Sequence, residues 1–96
     1  MPRTFIACRV SRGFFESEFY VKLRSGDAYI VDRSDVRIDR ELKNGTDETE
    51  GKVLAYVVGM DEKDSKLLVE LSGEPVVGGL RTWVSKGDVD PQHMVA

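Results

Sequence analysis

The stretch that best indicates the fold class is Glu18-Phe19-Tyr20-Val21-Lys22-Leu23-Arg24. A segment with a similar pattern follows 48 positions later, Lys66-Leu67-Leu68-Val69-Glu70-Leu71-Ser72. At the same offset, residues 5–25 fall on residues 53–73 without a gap. Residues 29–36 then fall on residues 82–89 at an offset of 53, so the second copy carries five extra residues around Pro75 to Leu80. An internal repeat of this kind indicates one supersecondary unit used twice.

Each copy alternates apolar and polar residues with a period of two, which is typical of strands with one face on a core and one in water. Phe19, Val21 and Leu23 are predicted to point inward from one strand. The strand before it directs Ile6, Cys8 and Val10 inward, and the repeat assigns Leu54, Tyr56 and Val58 to the same positions in the second copy. Third strands are predicted at residues 28–33 and 81–85.

These signals predict an all-β fold, a small barrel or sandwich of about six antiparallel strands from two related three-stranded meanders. We expect a single domain over residues 1–96, with a first meander at 4–38, a linker at 39–51, a second meander at 52–90 and a tail at 91–96. One core shared by both meanders is favoured over two tandem mini-barrels, because each copy is short for a complete five-stranded barrel.

Two segments carry a resemblance to a known architecture. Val21-x-Leu23-x-x-Gly26 with Tyr29-x-Val31-x-x-x-Asp35-Val36, and the second copy Val69-x-Leu71 with Trp83-Val84-x-x-x-Asp88-Val89, resemble the strand–turn–strand and closing segment of SH3-like and Tudor-like barrels. The resemblance covers about half of the chain and implies a small SH3-like barrel. Gly87-Asp88 also resembles the turn of pseudo-symmetric barrels that carry helices, which this sequence does not predict.

Charge is divided unevenly along the chain. Residues 1–45 hold nine Lys/Arg and seven Asp/Glu, a balance of +2, whereas residues 46–96 hold five and ten, a balance of −5, for the net charge of −3. An acidic total disfavours non-specific nucleic-acid binding. The sequence has no apolar run long enough for a membrane span and no expected secretory signal. One cysteine suits a reducing compartment, so we expect a cytoplasmic protein.

The sequence contains no recognisable enzyme signature, and we expect a non-enzymatic protein without cofactor or metal. The only histidine, His93, lies in the predicted tail, so a histidine relay or a multi-histidine metal site is not available. Cys8 falls at a predicted core position, where a thiol is a poor nucleophile. The carboxylates at 47–50 and 61–64 lack the pattern of a calcium loop.

Two asymmetries between the copies mark the candidate site. Arg12, Phe14 and Phe15 occupy a hairpin whose counterpart is polar, and Val76 and Val77 lie in the insertion. Exposed phenylalanines beside an arginine are typical of interface hot spots. We therefore predict a module that binds a protein partner or a second copy of itself. The alternative for the hairpin is that one ring folds back into the barrel, and we expect Trp83 to be buried.

A second hypothesis is nucleic-acid binding by the arginine-rich first half. Tyr20 and Tyr29 are predicted to face outward near Arg24 and Arg33, an arrangement that could stack bases or hold a cation. The ordinary explanation is cross-strand packing of Tyr20 against Tyr29. A third hypothesis is a small-ligand pocket near Trp83.

Overall fold

The computed structural model describes residues 2–90, which form eight strands and two single 3₁₀ turns. The strands are β1 (Arg3–Arg12), β2 (Glu18–Leu23), β3 (Ala28–Asp32), β4 (Val36–Ile38), β5 (Glu48–Asp61), β6 (Lys66–Leu71), β7 (Glu74–Val77) and β8 (Arg81–Ser85). The 3₁₀ turns are Arg33–Asp35 and Lys86–Asp88, one after the third strand of each meander. The all-β prediction is therefore confirmed.

The strands form one antiparallel sheet in the order β7-β3-β2-β1-β5-β6-β8, with β4 paired to β5, and the sheet curls into a half-barrel. The meanders β1-β2-β3 and β5-β6-β8 lie side by side because β1 pairs with β5, where Ile6 is opposite Val53. The predicted count of about six strands omits the short strands β4 and β7. The likeness to SH3-like barrels in particular stays a prediction.

The segment that follows each 3₁₀ turn pairs with the other copy. After the first 3₁₀ turn, Val36 pairs with Val53 of the second meander. After the second turn, Val89 forms a bridge with Ile6 of the first meander. The buried residues of both copies consequently belong to one core cluster, as expected for strands that each lack a complete barrel of their own.

The predicted inward face of β2 and β6 is correct, but that of β5 is wrong by one residue. Val53 and Ala55 are fully buried, whereas Leu54 and Tyr56 are only half-buried. The cause is a register shift between Val57 and Gly59, where one extra residue enters the strand. Equivalent residues of the two copies are therefore 47 positions apart before this bulge and 48 positions apart after it. The sequence conceals the shift because apolar residues occupy both faces of β5 here.

The insertion in the second copy becomes β7, which leaves its own meander and pairs with β3 of the first. The chain first comes close to β3 at Gly73, immediately before β7, where a Cβ would lie 2.2 Å from the Ile30 carbonyl oxygen. The Tyr29 hydroxyl then donates to the Gly79 carbonyl at 2.7 Å. The Thr82 hydroxyl also donates to the Asp27 carboxylate. The insertion and β8 thus both tie the second meander to the first.

Tyr29 corrects a further prediction, because its side chain is fully buried instead of facing outward. It lies directly opposite Val21, and residues opposite each other in an antiparallel pair share a face. Tyr20 lies opposite Ile30 on the outer face, so the expected Tyr20–Tyr29 cross-strand pair does not form. The alternation of Tyr29 with buried Val31 carried this signal in the sequence.

The stretch between the meanders is partly structured. β5 begins at Glu48, so it includes the last residues of the range 39–51. Before it, the Arg40 guanidinium binds both oxygens of Asp47 at 2.7 and 2.9 Å, and this contact holds the pKa of that carboxyl well below its usual range. Leu42 packs into the core. The predicted tail at 91–96, with His93, lies outside the described residues.

Candidate interaction surfaces

The backbone of the β1–β2 loop is held in place. The Glu18 N–H donates to the Phe15 carbonyl at 3.1 Å, and the Arg33 N–H donates to the Ser17 carbonyl at 3.0 Å. The Arg33 guanidinium donates to the Glu16 carbonyl at 2.9 Å and stacks 4.5 Å above the Phe19 ring. These contacts fix the direction in which the loop tip points.

The loop also requires a glycine at its base. A Cβ on Gly13 would lie 2.8 Å from the Glu18 side chain and 3.0 Å from its carbonyl oxygen. Separations this short force atoms to move, so a larger residue would displace the turn. Gly13 therefore lets the chain turn tightly against the first residue of β2.

The two phenylalanines at the tip lie in solvent. Phe14 is 90% exposed and Phe15 is 72% exposed. The structure thus excludes the alternative in which one ring plugs the end of the barrel. Phe19, only four residues beyond Phe15, is instead part of the core cluster and is 5% exposed. Two adjacent apolar rings left in water by a held backbone form a candidate docking tip.

A depression of about 300 Å³ lies beside this tip, between the β1–β2 loop and the segment around Leu42. Arg12 bridges its floor by donating to the Leu42 carbonyl at 3.2 Å. The carboxylates of Glu16, Glu18 and Glu41 also line it and form no ion pair with any residue in the 2–90 range. Arg12 and Arg33, the two arginines of the lining, donate to neutral backbone carbonyls and keep their charge, so the lining carries three negative and two positive charges, a net charge of −1.

Val76 and Val77 are exposed, at 54% and 51%, but they lie far from the phenylalanine tip. Val77 pairs with Ala28 at the start of β3. The β1–β2 loop adjoins Asp32 at the other end of β3, opposite Glu18. The structure therefore does not gather the five predicted partner-binding residues into one surface.

The expectation that Trp83 is buried is wrong, because its side chain is 45% exposed. Trp83 lies opposite Leu68 on the outer face, while its neighbours Thr82 and Val84 direct their side chains toward the core. The strand period of two puts residues 82 and 84 on one face and 83 on the other. Trp83 lines neither the 300 Å³ depression nor the groove described next.

A groove of about 700 Å³ crosses β2, β1, β5 and β4. Its charged lining residues are Arg9, Lys22, Arg24, Arg37, Lys52, Asp39, Glu48 and Glu50. Arg9 lies 2.8 Å from Glu48, and Lys52 lies 2.7 Å from Asp90. Sequence reasoning missed this groove, since it depends on the pairing of β1 with β5. Three of its five cations, Arg9, Arg24 and Lys52, are paired with carboxylates, and such pairing weakens their attraction for a phosphate backbone.

The second predicted face, built from Tyr20, Arg24, Tyr29 and Arg33, is not assembled. Tyr29 is in the core. Arg24 follows the end of β2 and lies 3.3 Å from Asp88, whereas Arg33 follows β3 at the opposite end of the hairpin and stacks on Phe19. Only Tyr20 keeps its predicted outward position, half-buried beside Ile30.

Cys8 is buried, and its burial raises the pKa of the thiol to about 12. A thiol with such a pKa is protonated at neutral pH and is a weak nucleophile. Across residues 2–90, no group of three or more His, Cys, Asp or Glu side chains is arranged to hold a metal ion. In the same part of the chain, no helix has the length and apolar character to cross a membrane.

Comparisons of this chain with protein-family models, with curated proteins and with solved structures return no match.

Proposed function

We propose that this protein is a non-enzymatic interaction module that docks the Phe14–Phe15 tip into an apolar pocket of a protein partner. The observation that carries the proposal is the 90% and 72% exposure of two adjacent rings on a loop whose backbone is fixed by hydrogen bonds. A cytoplasmic setting and an SH3-like barrel belong to the same proposal. The barrel assignment is supported by the 3₁₀ turn and closing segment that follow each meander.

The two exposed rings contribute little hydrophobic burial to the folded chain. Burying a phenylalanine side chain stabilises by about 1.5–3 kcal/mol, and this stabilisation is absent while the rings stand in water. A partner pocket recovers it on binding. Because the loop is already ordered by Arg33 and Glu18, little conformational entropy is lost on docking. An ordered apolar tip is thus suited to act as an interface hot spot.

The rim chemistry specifies the partner further. The carboxylates of Glu16, Glu18 and Glu41 outnumber the guanidinium groups of Arg12 and Arg33 around the depression next to the rings. Complementary charge around an apolar anchor speeds association and excludes wrong partners. We therefore expect the partner to present an apolar pocket bordered by lysine or arginine side chains.

The test is affinity capture from lysate with the wild type and a Phe14→Ser/Phe15→Ser double variant, in nuclease-treated and untreated samples. The matched control is Val76→Ser/Val77→Ser, which removes two similarly apolar residues at the far end of β3. Loss of one specific protein with the first variant alone supports the proposal, provided that both variants melt like the wild type.

Captured candidates are then measured with purified components at increasing salt. A contact dominated by rings weakens modestly, whereas phosphate contacts weaken steeply because counterions are released. A captured partner that is nuclease-sensitive and indifferent to the Phe14 and Phe15 substitutions would contradict the proposal and favour nucleic-acid binding.

A further inference from the structure

Among residues 2–90, the outer edge of β8 has no strand partner, whereas the equivalent strand of the first meander is covered. β3 pairs with β2 on one side and β7 on the other. β8 occupies the same place in the second meander, yet it pairs with β6 alone within the described chain. The insertion that could have covered β8 pairs with β3 instead. The repeat thus leaves one strand position unfilled.

The hydrogen-bond pattern shows which backbone groups face the open edge. The Leu71 N–H donates to the Leu80 carbonyl, and the Lys86 N–H donates to the Ser65 carbonyl. Antiparallel pairing alternates, so residues 80, 82, 84 and 86 direct their backbone groups toward β6. The N–H and C=O groups of Arg81, Trp83 and Ser85 therefore point away from the sheet, ready to pair with another strand.

Of the two end strands, β8 is the unprotected one. Sheet edges are commonly guarded by proline, lysine, bulges or short length. β7 has only four residues, includes Pro75 and is joined to β3 through a register shift. β8 contains neither proline nor lysine, and its one charge, Arg81, is held by Glu70 at 3.0 Å. This edge is a template for strand addition.

We propose that β8 pairs antiparallel with β8 of a second copy of this chain, with Trp83 directly opposite Trp83. This register uses every outward backbone group of Arg81, Trp83 and Ser85 and forms six hydrogen bonds across the twofold axis. It sets Arg81 opposite Ser85. A register centred on Arg81 would instead oppose two arginines, which is unfavourable.

The side chains on both faces fit this register. On the outer face, Leu68 and Trp83 of one copy continue into Trp83 and Leu68 of the other, which makes one apolar stripe from two exposed patches. On the inner face, Val84 lies opposite Thr82 of the second copy. Aromatic cross-strand pairs stabilise a sheet, and the half-exposed Trp83 loses its contact with water. The occupant of the edge is therefore the chain itself.

The sole tryptophan of the chain makes the proposal measurable without labels. We expect light scattering after gel filtration to show a mass that rises with concentration toward twice 10.8 kDa. The emission of Trp83 shifts to shorter wavelength over the same concentration range. Hydrogen exchange of the Arg81, Trp83 and Ser85 amides slows as the dimer forms, and this readout requires no substitution.

Two variants separate this contact from the others. Trp83→Lys is expected to remain a monomer at concentrations at which the wild type is a dimer, because two lysines would meet across the axis. The control Ile30→Lys changes the equivalent residue of the covered strand β3 and is expected to dimerise like the wild type. The Phe14→Ser/Phe15→Ser variant also dimerises, so this proposal does not depend on the loop.

The proposal is overturned if the wild type stays a monomer at its highest soluble concentration, or if the Arg81, Trp83 and Ser85 amides exchange at a rate independent of concentration. It is equally overturned if Trp83→Lys still dimerises, or if only the loop variant becomes monomeric. In the last case the self-contact belongs to the phenylalanine tip.

Discussion

The β1–β2 loop and the β5–β6 turn occupy equivalent places and differ only beyond their anchors. The Ser17 carbonyl accepts from the Arg33 N–H and the Ser65 carbonyl accepts from the Lys86 N–H, each at 3.0 Å. Beyond these bonds, the first loop raises two exposed phenylalanines, whereas the second is a polar turn in which Ser65 adopts a positive φ of 52°.

This difference separates what the scaffold needs from what it carries. The polar turn closes its hairpin with local bonds, such as that from the Asp64 N–H to the Asp61 carboxylate at 3.2 Å. The fold therefore has a working solution that uses no aromatic residue at this position. Phe14 and Phe15 are consequently not required by the hairpin, which supports their proposed role in binding.

The largest expected effect tests whether the meanders carry the core equally. Phe19 and its repeat counterpart Leu67 are 5% and 3% exposed. We expect Phe19→Ala to lower the free energy of unfolding by about 3–5 kcal/mol and Leu67→Ala by about 2–5 kcal/mol, since each leaves a cavity. Urea denaturation measures both, and a negligible loss for either one would mean that its meander does not share the core.

A smaller effect tests a position where the copies differ in backbone packing. Gly51 in β5 stands where the buried Thr4 stands in β1, and a Cβ on it would lie 2.6 Å from the Arg37 carbonyl oxygen. We expect Gly51→Ala to cost about 1–3 kcal/mol through overpacking. Gly59→Ala is the control, because its nearest neighbour is the Leu68 side chain at 3.2 Å. Equal losses in thermal melts would contradict this close approach.

The pair Cys8 and Ala55, which occupy equivalent buried positions, predicts a pH dependence. Burial raises the pKa of Cys8 from 9.0 to about 12, so above pH 9 the unfolded chain releases a proton that the folded chain retains. The contribution of the Cys8 thiol to the free energy of unfolding is fully present well below pH 9 and is about 1.4 kcal/mol smaller at pH 10. Cys8→Ala should lack this component of the decline, and parallel denaturation curves for both proteins would refute the assignment.

The hydrogen bond from Tyr29 to Gly79, which joins the two copies, is expected to contribute about 1 kcal/mol to the free energy of unfolding, the usual net value of one hydrogen bond. Tyr29→Phe removes the hydroxyl that donates to the Gly79 carbonyl and leaves the ring in place. Tyr20→Phe, on the outer face, serves as the control and should melt like the wild type. If the two variants have the same stability, the insertion is held by its backbone alone.

The smallest expected effect concerns the loop tip. Phe14→Ser and Phe15→Ser together should change the free energy of unfolding by less than about 0.5 kcal/mol, as is usual for surface substitutions. The equivalent turn in the second meander already folds without aromatic residues. A loss comparable to that of Phe19→Ala would show that the rings are part of the core.

Several features were accessible from local pattern alone. The inward faces of β2 and β6 followed from the period of two in Phe19, Val21 and Leu23, whose neighbours are charged except for Tyr20, and from the repeat of this pattern in β6. The face of β5 did not, because apolar residues occupy both parities near Val57 and a bulge shifts the register there. Trp83 was misplaced because its size suggested burial, while its parity relative to Val84 indicated the outer face.

The strand periods, the two meanders, the insertion and the aromatic β1–β2 loop can be recognised from the sequence, because each depends on residues close together along the chain. The tertiary structure is needed to see that β1 pairs with β5, that the closing segments are exchanged, and that β7 covers β3 while β8 has no second partner among residues 2–90. Those choices depend on contacts between residues distant in sequence, where burial and hydrogen-bond geometry select one pairing among several that local pattern allows.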